Sequence, residues 1–264
     1  MLRLGLSFQG GDADDHLVPA KEAGDALIGT SNALNRAFFL MEFGKARFKG
    51  PYSENFQLSI SAPQKGSLEV PFLIAIGAGA AANLTADAVR VGIRYLFNRG
   101  IGTDNDEELG PLDKIAPGTL ESAVESIESP LRQAHKAIGF GVERIRLKSG
   151  DDDLVTFDER SKSFLGATRF DPMPVSAVAR VSNISGIDRS GRVFLPHIGR
   201  NVTFKMDDAI TESSIEFLMW SHRQYILRKQ NRDVIIKFNQ ILGGDGKIRY
   251  IRILQCSEID EMLM

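Results

Sequence analysis

A chain of 264 residues with 43% hydrophobic and 25% charged content has the balance of a globular protein, long enough for one large or two small domains. Its 32 Lys and Arg stand against 34 Asp and Glu, a net charge of −2, so the whole chain argues for neither nucleic acid nor an acidic substrate, and any such argument must be local. The single cysteine, Cys256, excludes an internal disulfide and every Cys-based zinc pattern; the stretch MLRLGLSFQGGDADD has no apolar signal-peptide core before its acids, and the expectation is a cytoplasmic protein.

Leu2, Leu4, Leu6 and Phe8 alternate with Arg3, Gly5 and Ser7, which predicts a strand with one buried face. Gly10 to His16 reads as a turn. Pro19, with Glu22 in the first turn, opens a helix in which Ala23, Leu27, Leu34, Phe38 and Met41 keep a three-or-four spacing up to Gly44. Phe56, Leu58 and Ile60 alternate with Gln57 and Ser59, and Pro63 to Gly66 turns the chain back into a second arm carrying Leu68, Val70, Phe72, Ile74 and Ile76. Leu73 and Ala75 make the far end of that arm apolar on both faces, so it runs from solvent into a core. Beyond the small residues of Gly77 to Ala82, Asn83 is placed to cap a helix with Leu84, Ala88, Val91 and Tyr95 on one face and Asp87, Arg90 and Arg94 on the other, ending at Gly100.

That glycine- and alanine-rich run invites sharper readings. A strand, a glycine turn and a helix are the parts of a dinucleotide-binding turn, but here the strand is a hairpin arm and no following strand ends in a clear ribose-binding acid. Val70 to Ala86 carries no charge, yet a spanning helix needs about 20 predominantly apolar residues, and Asp87, Arg90 and Arg94 follow at once. What remains is a conditional role for residues 70–98, as an element that perturbs a membrane or pairs helices only on activation.

Residues 101–117 are acidic and rich in breakers, the composition of a surface loop or hinge. Leu120, Val124, Ile127, Leu131 and Ala134 predict a helix from Thr119 to Ile138, kinked or split at Pro130. Val142 to Leu147 and Leu154 to Phe157 are expected to pair across the turn Ser149 to Asp153, and Ser161 to Arg169 reads as a connector. Pro172 and Pro174 mark a boundary, giving an α+β domain over 1–165, built as strand, helix, hairpin and helix, and a second domain over 172–256.

The second domain has a different texture. Val175, Ala177, Ala179 and Val181 alternate on a long strand; Asp188 to Gly191 turns it into Arg192 to Leu195; and Val202, Phe204 and Met206 form a third. A helix follows with Ile215, Leu218, His222 and Ile226 on one side, then strands carrying Val234, Ile236 and Phe238 and, after the turn Gly243 to Gly246, Ile251 and Ile253. Three strands, a helix and two strands is the order of an OB-like small β-barrel. GGDADDH at 10–16 and GSLEV at 66–70, followed by the apolar glycine- and alanine-rich run and this barrel, resemble an uncharacterised family of bacterial proteins. The resemblance implies no activity, cofactor or site residue; the setting it suggests is anti-phage defence or a mobile element.

The densest candidate metal site is Asp12, Asp14, Asp15 and His16, carboxylates and an imidazole just past a strand end. The competing reading, favoured here, has these aspartates making Asx-turns and complementing the N-terminus of the helix at Pro19. His135, His197 and His222 stand alone, and each reads as structural. No nucleophile elbow, Walker loop or His-Glu-x-x-His is present, and Cys256 has no His nearby in sequence, so the chain leans away from an enzyme and implies no cofactor. Between residues 171 and 256 thirteen Lys and Arg face eight Asp and Glu, and Arg180, Arg192, Arg200, Lys205, Lys237, Arg249 and Arg252 lie on or beside predicted strands. Phe194, Phe204 and Tyr250 are placed to stack on bases if they face outward. The expected role is binding rather than catalysis, with a protein partner or a second copy of the chain first and nucleic acid on the barrel as the alternative.

Overall fold

The computed structural model describes residues 2–52, 54–61, 69–77, 84–103, 109–244 and 246–259, and the chain divides into two compact units, 1–166 and 167–264. In the first, β1 (Leu2–Gln9) is the middle strand of an antiparallel sheet ordered β2-β3-β1-β4-β5, with β2 at Phe56–Ile60, β3 at Glu69–Ile76, β4 at Arg144–Ser149 and β5 at Asp152–Phe157. The alternation in β1 marks its apolar face, although Gly5 and Ser7 on the other face are buried as well. Leu2, Leu4 and Leu6 are buried with Phe72, Ile74, Ile145 and Leu147 on the face that the helices cover. Each such side chain contributes about 1.5–3 kcal/mol relative to exposure.

The helices are α1 (Ala20–Phe43), α2 (Ala86–Ile101), α3 (Pro117–Ala134) and α4 (Glu159–Gly166). α1 begins after Pro19 and ends at Gly44, whose φ of 61° is the left-handed stop that glycine supplies. Its buried face is rich in small residues, Ala26, Gly29, Ala33 and Ala37, which lets α3 come close. A Cβ at Gly29 would meet the backbone of Ala134 and the carbonyl of Pro130. α3 runs through Pro130 unsplit, because the carbonyl of Ser126 that proline leaves without an N–H donor accepts instead from the Arg36 guanidinium of α1.

Three local expectations need correction. Thr85 caps α2, accepting from the Ala88 N–H at 3.2 Å; the helix buries Val89, Ile93, Leu96 and Phe97, and of the expected face Leu84 is buried while Ala88, Val91 and Tyr95 are only half-buried. The connector at Ser161–Arg169 is largely α4. Its start is a reciprocal cap in which Asp158 Oδ1 accepts from the Ser161 N–H and Ser161 Oγ from the Asp158 N–H, both at 2.8 Å. The Gly77–Ala82 run, the Pro63–Gly66 turn and Asn83 lie wholly or mainly outside the described residues; residues 70–76 belong to β3, between β2 and β1.

The second unit opens with β6 (Thr168–Phe170), then β7 (Val175–Ser185), β8 (Ser190–Leu195), β9 (Arg200–Met206), α5 (Glu212–Ile226), β10 (Asp233–Gly243) and β11 (Ile248–Glu258). β7, β8 and β9 form a meander, β9 pairs parallel with β11, β11 antiparallel with β10, and β10 closes onto β7. This closed five-stranded ring, with its helix between the third and fourth strands, has the OB topology, and β6 is appended to β10. Ala179, Val181, Val193, Val202, Phe204, Ile236, Phe238, Ile251 and Ile253 fill its interior.

α5 meets the barrel differently from its apolar spacing. The buried positions are Ser214, Leu218 and Ser221, while Ile226 is exposed. Ser221 Oγ accepts from the Val181 N–H at 3.0 Å and donates to the Arg232 carbonyl at 2.6 Å; Ser214 Oγ accepts from the Cys256 N–H at 3.0 Å. Two serines satisfy strand backbone that an apolar helix face would have left orphaned.

Candidate nucleic-acid interface

Strand pairing sorts the barrel's cations by face, because directly opposed residues point the same way. Arg180, Phe194 and Asn201 form one outward row across β7, β8 and β9; Arg192, Thr203 and Tyr250 form the next across β8, β9 and β11; Ser190, Lys205 and Arg252 form a third. Thus Arg180, Arg192, Lys205 and Arg252 share one continuous surface. Phe194 and Tyr250 face outward on it and are half-buried, whereas Phe204 is enclosed in the barrel and cannot stack on a base.

At the β7–β8–β9 end of this surface an open groove of about 280 Å³ is lined by Arg180, Ser182, Phe194, Asn201, Tyr225 and Arg232. The Arg180 guanidinium lies 6.0 Å from the Phe194 ring centroid, and that of Arg232 lies 5.3 Å from the Tyr225 centroid. Arg180 is held by Asp233, with Nε and Nη2 donating to the two carboxylate oxygens at 2.5 and 3.1 Å, which pushes the guanidinium pKa upward. Ser182, at a bulge in β7, lies 3.1 Å from the Arg192 carbonyl and 3.2 Å from Asn201 Oδ1. The groove therefore combines two ring faces, two guanidiniums and short polar side chains.

The other candidates fall elsewhere. Arg200 donates to the Ile248 carbonyl at 2.6 Å and Arg249 to the Ala167 carbonyl at 2.8 Å, so both tie down backbone. Lys237 is outward on β10, opposite Ser176 and Gln255, away from the groove. Arg252 remains on the face but stands 3.9 Å from an Asp207 carboxylate oxygen. Sequence reasoning missed Ser182, Asn201, Tyr225 and Arg232. Tyr225 and Arg232 flank the chain's passage from α5 into β10, where neither period-2 nor helical spacing marks a residue.

In the first unit, Gly11–Asp15 is a 3-10 turn closed by the His16 N–H to the Ala13 carbonyl at 3.0 Å. Asp14 Oδ1 accepts from the Gly10 N–H at 2.8 Å, and the Ala13 N–H donates to the Gly141 carbonyl at 3.0 Å, pinning the turn to the chain before β4. Gly10, at φ 76°, and Gly11, at φ 61°, supply the conformations this needs. Among the described residues no three His, Cys, Asp or Glu side chains are grouped to hold a metal, so Asp12, Asp14, Asp15 and His16 do not converge on one ion. Cys256 is buried, which pushes its thiol up to about 12 and leaves it protonated.

Fold and surface together define an α+β protein whose OB-type barrel carries a basic, aromatic outer face. The chain belongs to the family described as a domain of unknown function (DUF7946), which matches residues 4–165 and includes both motifs, at 10–16 and 66–70. The barrel lies beyond the matched residues. No curated protein and no solved structure matches the chain.

Proposed function

We propose that the protein binds single-stranded nucleic acid along the outer face of β8 and β9. The observation that carries this reading is the groove in which Phe194 and Tyr225, each with an arginine against its ring, open on the same face as Arg192, Lys205 and Arg252. Bases stack on aromatic faces only when they are unpaired, and the equivalent second and third strands are the ligand face of OB barrels. Asp233 offsets Arg180 and Asp207 stands against Arg252, while Arg192, Lys205 and Arg232 add their charge to the same face. No step of covalent chemistry is called for.

Charge reversal of Arg192 and Lys205 tests the surface directly. Wild-type affinity for a labelled single strand should fall with salt, with a log–log slope of about −2 to −3 for three or four phosphate contacts. The R192E/K205E variant should bind more weakly and with a shallower slope; unchanged affinity would remove this face from the function.

Assembly with a protein partner or a second copy is the other reading, favoured by β2, which carries no charge and, among the described residues, pairs with β3 alone. The conditional membrane role has less support: residues 70–76 and 86–98 are built into the first unit, and among the described residues no helix is long and apolar enough to cross a membrane.

A further inference from the structure

We infer, building on the single-strand reading, that the groove is a pocket for one base and selects guanine, with Arg180 reading the N7 and O6 edge and Asp233 positioning Arg180. Strand pairing sets Asp233 of β10, Arg180 of β7, Phe194 of β8 and Asn201 of β9 in one outward row. Directly opposed side chains share a face at a spacing of about 5 Å. The register alone therefore places a carboxylate on one side of the guanidinium and an aromatic ring on the other.

The hydrogen bonds decide which donors are left for a ligand. Asp233 takes Arg180 along one edge, with Nε donating at 2.5 Å and Nη2 at 3.1 Å. A guanidinium carries its five N–H donors in a fixed planar fork. With that edge engaged, one N–H of Nη1 and one of Nη2 remain side by side, and among the described residues no group takes them up. Two parallel donors call for two adjacent acceptors, and N7 and O6 of guanine are the pair that arginine meets most often. Adenine sets an amino donor beside its N7 and is refused. Cytosine offers N3 and O2, but on a single ring that covers less of an aromatic face.

A phosphate would also accept from such a fork. Here the Asp233 carboxylate cancels the guanidinium charge and repels an anion, while a neutral base edge is unaffected. The ring beside it points the same way. Arg180 Cζ lies 6.0 Å from the Phe194 centroid, outside the roughly 3.5–4.0 Å of direct contact, so the guanidinium does not cover the ring. A base flat on Phe194 turns its edge to the fork. The groove, about 280 Å³ and lined also by Tyr225, has room for a base rather than a longer segment.

The probe is a labelled oligothymidylate whose central base is replaced by guanine, adenine or cytosine, titrated with the full chain and read as anisotropy. The guanine strand should bind tighter than the others by roughly tenfold or more. Hypoxanthine, which keeps N7 and O6, should bind as guanine does, and 7-deazaguanine, which lacks N7, should fall back to the all-thymine strand. R180K keeps a cation but loses the fork and should erase the preference. D233N frees the guanidinium and uncovers its charge, so it should erase the preference while steepening the salt dependence, a pair of changes that loss of fold does not produce. Equal affinity for the four bases, a preference for adenine or cytosine, or a guanine preference that survives R180K overturns the inference and leaves single-strand binding standing. A wild type that binds none of the strands overturns both readings together.

Discussion

His135, at the C-terminal end of α3, is 1% exposed, with Nδ1 2.6 Å from the Leu131 carbonyl and Nε2 2.9 Å from Ser161 Oγ. A carbonyl can only accept, so Nδ1–H donates to it and neutral Nε2 accepts from the serine. Burial pushes the imidazole from its usual 6.5 down to about 4. Between those values the unfolded chain binds a proton that the folded chain refuses, so stability is full above pH 6.5 and falls as pH drops toward 4, by about 3 kcal/mol. Urea denaturation across that window should show the loss, and H135N should flatten it. Phe194 belongs to the same scale. Half-exposed and with no core role, it can be cut to alanine without loss of fold, and F194A should weaken single-strand binding by about 1–3 kcal/mol, read as anisotropy. A variant that binds like wild type would show that no base stacks there.

Helices and strands were legible where one face meets only apolar neighbours. Leu2, Leu4 and Leu6 give β1 by alternation, and the five barrel strands follow from the same signal. Reading failed where polar atoms do the packing. Ser214 and Ser221 face the barrel because they bond strand backbone; of the expected apolar face of α5, Leu218 is buried and Ile215 packs against the core in part, while Ile226 is exposed. The α1–α3 contact shows the same limit, since no spacing reveals that Arg36 serves the carbonyl freed by Pro130. R36L should leave that carbonyl unpaired and cost about 1–3 kcal/mol. G29A, which drives a methyl into α3 backbone, should cost about the same or more. Both are measured by chemical denaturation, and a neutral G29A would mean that the helices separate freely.

Across the whole molecule the net charge of −2 hides an asymmetry: residues 167–264 hold fourteen Lys and Arg against eleven Asp and Glu, while residues 1–166 hold eighteen against twenty-three. The basic surplus sits in the unit with the aromatic groove, and the family match covers the acidic one. Of the seven barrel cations that sequence singles out, pairing register gathers Arg180, Arg192, Lys205 and Arg252 and sends Arg200 and Arg249 to backbone carbonyls. One-dimensional spacing shows that a residue is on a strand; only the closure of the barrel shows which strands share a surface. The most direct measurement is the anisotropy titration of a labelled single strand and its duplex at low and near-physiological salt. The proposed function requires salt-dependent binding that favours the single strand and is lost in R192E/K205E; absence of binding at low salt would contradict it.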